Sequence, residues 1–354
     1  MGALALLARN YRARALLLAF GLAAAPNAMA DTLPAAVKSN IITRFKIGSN
    51  ETRFGPFEFL GGLEMVSPER LFGSLSSIRF REDHTHFVGV LDTGHWMTGR
   101  IEREASGKLS GLADVEIATM RNGVGQSFEG KGFMDAEGVA LHGDRVLVSF
   151  EQQHRVDSYP DPGFETSRAT GTMPLPFQRK QLRANRGFET VAVSPMDSPL
   201  KGGTLIVAER SLDDDGNAYA AILDGPLKGK LTLSHYGDFD ATDGAFLPNG
   251  DLLLLERRFN MAEGIGMRIR RIKSSDIRPG AVMDGEILMQ SDFSDQIDNM
   301  EGLDAFSAAD GTTHVIIVSD DNHSILQRNL MLEFRLLDSD KTTAASAVAP
   351  AAQP

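Results

Sequence analysis

Acidic side chains stand at the ends of short apolar runs along the chain, and carboxylates can bind hard cations or transfer protons. Five apolar runs end in an acid, and these closing acids are Asp92, Glu151, Glu209, Glu256 and Asp320. Four apolar segments begin with an acid instead, and these opening acids are Glu137, Glu189, Asp243 and Glu301. Such an all-oxygen ligand set favours Ca²⁺ or another divalent cation such as Mg²⁺.

The acids differ in the role that we predict for them. Glu137 and Glu301 are the candidate general bases, because the activation of water needs a carboxylate that is free to accept a proton. Asp321 and Asn322 directly follow Asp320 and add two more oxygen ligands. The predicted metal ligands are therefore Asp92, Glu151, Glu189, Glu209, Asp243, Glu256, Asp320, Asp321 and Asn322.

Basic residues follow the closing acids and are the predicted substrate-binding groups, namely His95, Arg210, Arg257 and Arg258. Arg257 and Arg258 offer two guanidinium forks beside Glu256, and such forks match a phosphate or a carboxylate group. The alternative is that these arginines form an ion pair that holds Glu256 in place.

The acids belong to a repeated unit of paired β-strands. The closing acids lie 59, 58, 47 and 64 residues apart, and turn residues such as Pro248-Asn249-Gly250 separate the two runs of a unit. This spacing is typical of a β-propeller with one four-stranded sheet per blade. We predict five blades, the last closed by strands from both ends of the chain. Six blades remain open if 39–92 and 320–337 hide a degenerate blade, and a β-sandwich is the competing architecture.

Propeller geometry predicts that the acids meet. The first strand of each blade lines the central channel and the second runs antiparallel to it, so the opening and closing acids of a blade reach the same rim. Nine carboxylates around one mouth would need arginines, backbone amides or a divalent cation as compensation. A single acid at such a position can instead serve only to bond the amides of the next blade.

The two ends of the chain differ in composition from its body. Residues 1–30 combine Arg9, Arg12 and Arg14 with an apolar stretch from Ala15 to Ala25 and a small-residue cleavage pattern before Asp31, which is typical of a signal peptide. We expect 31–38 to be a short leader, 39–337 the propeller and 338–354 a disordered tail. Export to the periplasm or the medium follows, with no membrane span after cleavage.

Composition excludes several classes of function. The 354 residues carry a formal net charge of −11, which excludes a generally basic nucleic-acid or anionic-membrane binder. Cysteine is absent, so thiolate nucleophiles, disulfides and cysteine-based metal sites are excluded as well. The expected partner is a small molecule, with a protein partner as a second option.

Several motifs together resemble the secreted bacterial β-propeller proteins called phytase-like, or esterase-like activity of phytase. The motifs are DAEGVAL, GFETVAV, GDLLLLERRF, DNMEGLDAF followed by VSDDN, and an opening LGGLEM, FGSLSSIRF and LDTGHW. The resemblance covers about 59–336 and implies a propeller with a hydrolytic role on esters or phosphoesters. The acidic repeat also resembles lactonase-type and gluconolactonase-type propellers, in which mouth carboxylates hold a divalent ion.

Two functions therefore stay open at this point. The first is an exported hydrolase that acts on a small ester, lactone or phosphoester with the help of a divalent metal. The second is a non-catalytic propeller that binds a ligand or another protein, with at most a structural ion.

Overall fold

The computed structural model of the chain describes residues 32–128 and 132–337, and nearly all regular structure there is β-strand. The predicted signal peptide (1–30) and the predicted tail (338–354) lie outside the described residues. Two short 3-10 helices span Arg179–Gln181 and Ser274–Asp276. Across the described ranges, no helix has the length and apolar content needed to cross a bilayer.

Twenty-four strands follow one another along the described chain. Their bounds are β1 Thr32–Pro34, β2 Lys38–Ile42, β3 Arg53–Phe54, β4 Phe57–Val66, β5 Leu75–Phe80, β6 His86–Leu91, β7 His95–Arg103, β8 Leu109–Thr119, β9 Ala136–His142, β10 Arg145–Phe150, β11 Arg155–Pro160, β12 Gly171–Met173, β13 Phe188–Val193, β14 Thr204–Leu212, β15 Ala218–Ile222, β16 Gly229–Leu233, β17 Asp240–Phe246, β18 Leu252–Asn260, β19 Gly264–Ile272, β20 Val282–Met283, β21 Glu286–Asp292, β22 Asn299–Ser307, β23 Thr313–Asp320 and β24 Asn329–Leu336.

The strands form five sheets, which are the blades of a β-propeller. From the outer edge inward, blade 1 is β1-β8-β7-β6-β5 and blade 2 is β12-β11-β10-β9. In the same direction, blade 3 is β20-β16-β15-β14-β13 and blade 4 is β21-β19-β18-β17. Blade 5 is β2-β4-β24-β23-β22, with β3 paired to β4.

One strand of each blade faces the centre, and the five inner strands form a closed ring. Each inner strand contacts the next in the order β5, β9, β13, β17, β22 and back to β5. Blade 5 closes the ring, because β4 from the N-terminal part pairs antiparallel with β24 from the C-terminal part. The predicted five blades and their closure by both ends are confirmed. The segment predicted as a short leader (31–38) contributes to the fold instead, since Thr32–Pro34 forms the outer strand of blade 1.

Continuous apolar runs explain why the blades pack face to face. The run Val315, Ile316, Ile317 and Val318 of β23 is fully buried. Ile316 and Val318 pack on the side of blade 1, whereas Val315 and Ile317 pack on the side of blade 4. Because successive strand residues point to opposite faces, one apolar run fills two interfaces between blades. Truncation of such a side chain to alanine costs about 2–5 kcal/mol of unfolding free energy.

Every inner strand has a register shift near its start. The residues at this shift are Ser76, Glu137, Glu189, Thr242 and Glu301, in blades 1 to 5 respectively. A β-bulge re-aims the side chains beside it and interrupts the ladder. The bulges therefore mark one common level of the channel, and the chain places a glutamate there in three blades.

Candidate functional site

The channel mouth is the end of the channel at which the bulges lie. In blades 1, 2, 3 and 5, the strand next to the inner strand carries a buried acid one residue beyond the pair that precedes the bulge: Asp92, Glu151, Glu209 and Asp320. The corresponding residue of blade 4 is Arg257, which pairs across the ladder with Asp240. A cation thus takes the place of the fifth closing acid.

The opening acids of blades 2, 3 and 5 lie at the same level. Glu189 and Glu301 are buried and Glu137 is half-buried. The bulge positions of blades 1 and 4 hold the hydroxyl residues Ser76 and Thr242. The structure therefore brings seven of the nine predicted acids to one mouth, in four blades.

Asp243 and Glu256 lie elsewhere, which corrects the sequence interpretation of blade 4. Asp243 is one residue beyond the bulge, and its carboxylate is 2.7 Å from Nη2 of Arg79. Glu256 is one residue short of the mouth position, and its Oε1 lies 2.7 Å from Nη2 of Arg270. Because a one-residue shift turns a strand side chain to the opposite face, both acids leave the mouth. Their oxygens are engaged by arginines, so we withdraw both from the predicted metal ligands.

An eighth acid, Asp135, was missed by the sequence reasoning. Asp135 is buried and lies two residues before Glu137, and the signal for it was the motif Asp-Ala-Glu. We name the acidic cluster as the set Asp92, Asp135, Glu137, Glu151, Glu189, Glu209, Glu301 and Asp320.

The acids of the cluster perturb one another. Burial raises the pKa of Glu137 well above its ordinary value, and the charges of Asp135 and Glu151 raise it further. Burial likewise raises the pKa of Glu189, with Glu209 and Glu137 as the next causes. These mutual effects show that the cluster forms one electrostatic unit.

Two further acids of the cluster have a raised pKa close to neutrality. Burial raises the pKa of Glu151 to about 7, although the backbone amide of Gly187 partly opposes the shift. Burial raises the pKa of Glu301 to about 8, against the opposing charge of Arg257. Carboxyl groups in this range can hold or release a proton near neutral pH.

Arginines compensate part of the negative charge. The Nε of Arg257 lies 3.2 Å from Oε1 of Glu301, and its Nη2 lies 3.3 Å from Oε1 of Glu209. Arg257 also donates a hydrogen bond of 2.9 Å to Oδ1 of Asn299. Arg186 adds a contact of 2.7 Å to Glu209. Within residues 32–128 and 132–337, carboxylates outnumber the guanidinium groups that contact the cluster.

Some acids of the cluster accept hydrogen bonds from backbone amides, and one of these bonds joins two blades. Oε1 of Glu151 accepts a 2.7 Å hydrogen bond from the amide of Gly187, which joins blade 2 to the start of blade 3. Oδ1 of Asp320 accepts a 2.6 Å bond from the amide of Asn322. By contrast, the carboxylates of Glu137 and Glu189 accept no hydrogen bond from the part of the chain that the structure describes. The oxygens of these two carboxylates are therefore the best candidates to bind a cation or a ligand.

Oxygen atoms of the cluster lie close enough to share a cation. One set is Asp135, Glu137 and Glu151, and a second is Glu151, Glu189 and Glu209; within each set the ligand atoms are within 4.8 Å of one another. Carboxylate oxygens at such spacing suit Ca²⁺ or Mg²⁺.

The remaining predicted residues surround the mouth. His95 is buried at the start of β7, with its Nδ1 3.0 Å from Oγ1 of Thr93. Arg210 lies 3.5 Å from Asp240 on the rim. Arg258 pairs with Glu263 and packs its guanidinium over Phe239, and the arginines that pair with Glu256 are Arg268 and Arg270 instead.

Two predicted ligands of blade 5 lie in the loop that follows β23. Oδ1 of Asp321 accepts a 3.4 Å hydrogen bond from the amide of Ser74, which links blade 5 to blade 1. Asn322 is exposed and lines a cavity beside Arg257.

Comparisons with solved structures find distant neighbours. The hydrazine synthase of Kuenenia stuttgartiensis is 11% identical with a TM-score of 0.36 over 78% of this chain, and this chain covers 60% of that one. A Bacteroides caccae protein of unknown function is 12% identical, with a TM-score of 0.33 over 66% of this chain and 68% of that one. A putative gluconolactonase is 11% identical, with a TM-score of 0.38 over 85% of this chain and 92% of that one.

Sequence comparison is more specific. No curated protein matches the chain. The family model "Phytase-like: Esterase-like activity of phytase" matches residues 70–323, a range that includes every member of the acidic cluster. The five-bladed fold, the acidic mouth and this match agree with the motifs quoted above, and the chain therefore belongs to the phytase-like family.

Proposed function

We propose that the protein is a hydrolase that acts on a small ester, lactone or phosphoester at the channel mouth, with a divalent cation held by the cluster. The observation that carries the proposal is the meeting of half-buried Glu137 with buried Glu189 and Glu301 at one mouth, all three with raised pKa values. Perturbed carboxyl groups in a concave site are typical of catalytic centres. The description of the family, esterase-like activity, points to the same class of reaction.

The donor set fits the proposed cation. Asp135, Glu137 and Glu151, or Glu151, Glu189 and Glu209, offer oxygen ligands and excess negative charge. When bound there, a divalent cation would neutralise the carboxylates and act as a Lewis acid toward the substrate.

The residues of the chain supply the proton transfer and the orientation. Oε1 of Glu301 is held by Arg257 and by the side-chain amide of Asn299 at 2.7 Å. The carboxyl group is thereby oriented, and a pKa of about 8 lets it take a proton from water and return it to a leaving group. Glu137, on blade 2, is the second candidate for this role. In this proposal, the guanidinium of Arg257 orients a carbonyl or phosphoryl oxygen of the substrate.

The test is turnover by the purified protein. We would assay 4-nitrophenyl acetate, δ-valerolactone and 4-nitrophenyl phosphate, each with EDTA and with added Ca²⁺ or Mg²⁺. We expect hydrolysis of one class, lost in EDTA and restored by the cation. Glu301→Gln should lower kcat by about 10²–10⁴-fold, the usual size of a general acid-base contribution.

Glu116→Gln is the matched control, because Glu116 is exposed on the outer part of blade 1. Full activity in the double variant Glu137→Gln/Glu301→Gln would refute the mechanism. The hydrogen bond from Gly187 to Glu151 favours the second candidate, a non-catalytic binding propeller whose acids hold the blades. Cation binding without turnover on any of the three substrates would support that candidate.

We further propose export to the periplasm or the medium, on the strength of the signal-like residues 1–30. N-terminal sequencing of the protein recovered from the envelope and the medium should show a first residue of Asp31. An intact Met1 in the recovered protein would contradict this proposal.

A further inference from the structure

A cavity of about 430 Å³ lies beside the mouth, between the adjoining ends of β18 and β19 and the loop that joins β23 to β24. Its apolar wall is made of Phe259, Ile265 and Leu326. Its polar wall includes Arg257 and Asn299. A volume of this size is within the usual range of small-molecule sites.

The cavity reaches the two side chains that hold the candidate catalytic carboxylate. Arg257 and Asn299 line the cavity, and the same two side chains contact Oε1 of Glu301 at 3.2 and 2.7 Å. A ligand whose apolar part lies against Phe259 would therefore place its polar end near Glu301.

The apolar wall is exposed to a degree that packing does not explain. Leu326 is 87% exposed and Phe259 is 70% exposed, and Ile325 beside Leu326 is fully exposed. Neighbouring apolar side chains that stay in water mark binding surfaces. Because Arg257 and Asn299 belong to both the cavity and the mouth, we take the occupant to be part of the substrate.

We infer that this cavity holds the acyl chain of an ester substrate, so that the protein prefers medium-length acyl esters to acetyl esters. The inference rests on the proposed function. Hydrolysis adds water across the acyl C–O bond, which gives a carboxylic acid and an alcohol. With the acyl chain in the cavity, the new carboxylate forms beside Arg257, a guanidinium that can bind it. The opposite orientation would leave that anion among the acids of the cluster.

The expected chain-length effect follows from the burial of methylene groups. Each fully buried CH₂ raises the affinity about fourfold. Acetyl and hexanoyl differ by four methylenes, and partial burial of these should raise kcat/KM at least about tenfold.

The first experiment compares 4-nitrophenyl acetate, butanoate, hexanoate and octanoate. We expect kcat/KM to rise with chain length up to hexanoate in the natural protein. Phe259→Ser and Leu326→Ser should lose activity progressively more as the chain lengthens. Met196→Ser is the matched control, because Met196 is 75% exposed in the β13–β14 turn at the opposite end of the propeller, and its chain-length profile should match that of the natural protein.

The second experiment measures binding without turnover, by calorimetry with octanamide and acetamide. Octanamide should bind, acetamide should not, and Phe259→Ser should weaken octanamide binding about tenfold. Turnover that is independent of acyl length and of Phe259→Ser overturns this inference and leaves the proposed function intact. Octanamide binding that depends on Phe259, without turnover of any ester, supports the alkyl cavity and overturns the proposed function. Absence of octanamide binding overturns the inference in either case.

Discussion

Two regions of the same channel bury acids in opposite ways. In the middle of the channel, Asp243 accepts hydrogen bonds from Arg79, the hydroxyl of Ser77 and the amide of Leu303. At the mouth, Glu189 is buried among other acids and accepts no hydrogen bond from the described residues. Burial alone therefore does not separate a structural acid from a candidate site. The balance of partners does, because a buried charge is stable only where donors or opposite charges compensate it.

Arg79 explains why the middle of the channel is structural. Its guanidinium donates to the carbonyl oxygens of Ile78, Val191, Gly244 and Leu303, at 2.6, 2.9, 3.0 and 2.8 Å. These carbonyls belong to the inner strands of blades 1, 3, 4 and 5. One side chain thus ties four blades together at the axis.

The largest expected effect of a single substitution is the loss of this tie. Arg79→Leu should lower the free energy of unfolding by about 3–5 kcal/mol, because it leaves Asp243 buried without its cation. Urea unfolding followed by circular dichroism measures this. The double variant Arg79→Leu/Asp243→Leu should recover part of the loss, and a loss under about 1 kcal/mol in the single variant would contradict a structural role.

We next expect a dependence of stability on pH that originates at the mouth. The folded-state pKa values of Glu151 and Glu301 are raised to about 7 and about 8, so the folded state binds protons that the unfolded state releases above its ordinary value of 4.5. Stability from these groups is therefore fully present below about 4.5 and is lost as the pH rises through about 8. We expect a loss of up to about 8 kcal/mol in EDTA, since one pKa unit corresponds to about 1.4 kcal/mol and the two pKa values rise by about 2.5 and about 3.5.

Calcium should reduce this loss, because a bound cation compensates the ionised carboxylates. Thermal unfolding from pH 5 to pH 8.5, with EDTA or Ca²⁺, measures both effects. Glu301→Gln is the comparison, since it removes one titrating group. Identical pH profiles in the natural protein and this variant would show that the mouth does not titrate as described.

Neutralising one acid should have a smaller effect on the free energy of unfolding, with opposite signs at the mouth and in the middle of the channel. At pH 8 in EDTA, Glu189→Gln should stabilise the protein by about 1 kcal/mol, because it removes a carboxyl group whose ionisation is opposed by burial and by the charges of Glu209 and Glu137. Asp243→Asn should destabilise it, because the guanidinium of Arg79 then lacks its counter-charge. The measurement is the urea midpoint of each variant, compared with that of the natural protein. The same sign in both would mean that mouth and mid-channel acids are equivalent.

The smallest effect belongs to the outer surface. Arg100 pairs with Asp114 at 2.6 Å on blade 1, where both side chains are solvent-accessible. Arg100→Gln should leave the urea midpoint within the error of the measurement, because solvent screens such pairs. This variant also sets the baseline against which the mid-channel and mouth variants are read.

Blade number and closure were predictable because spacing along the chain carries that information. The regular distance between Asp92, Glu151 and Glu209 reflects the length of one blade. The continuous apolar runs reflect burial of a strand on both faces. The exact place of each acid was not predictable in blade 4. Glu256 and Arg257 are adjacent, and a bulge decides which of the two reaches the mouth.

Asp135 was missed for a related reason. It precedes the inner strand, so strand alternation says nothing about its direction. Asp135 comes close to Glu137 and Glu151 only when the hairpin of blade 2 has formed. The functional roles of these acids stay predictions until turnover and cation binding are measured.

The position of Arg79 on the axis has a consequence for ligand traffic. A guanidinium that bonds four inner strands lies across the axis of the propeller, so we expect that a ligand at the acidic mouth does not pass through the channel. Whatever reaches Glu189 enters and departs by the same opening. Two fragments released from one substrate would have to leave in turn, and the slower one would compete with the next molecule for the entrance.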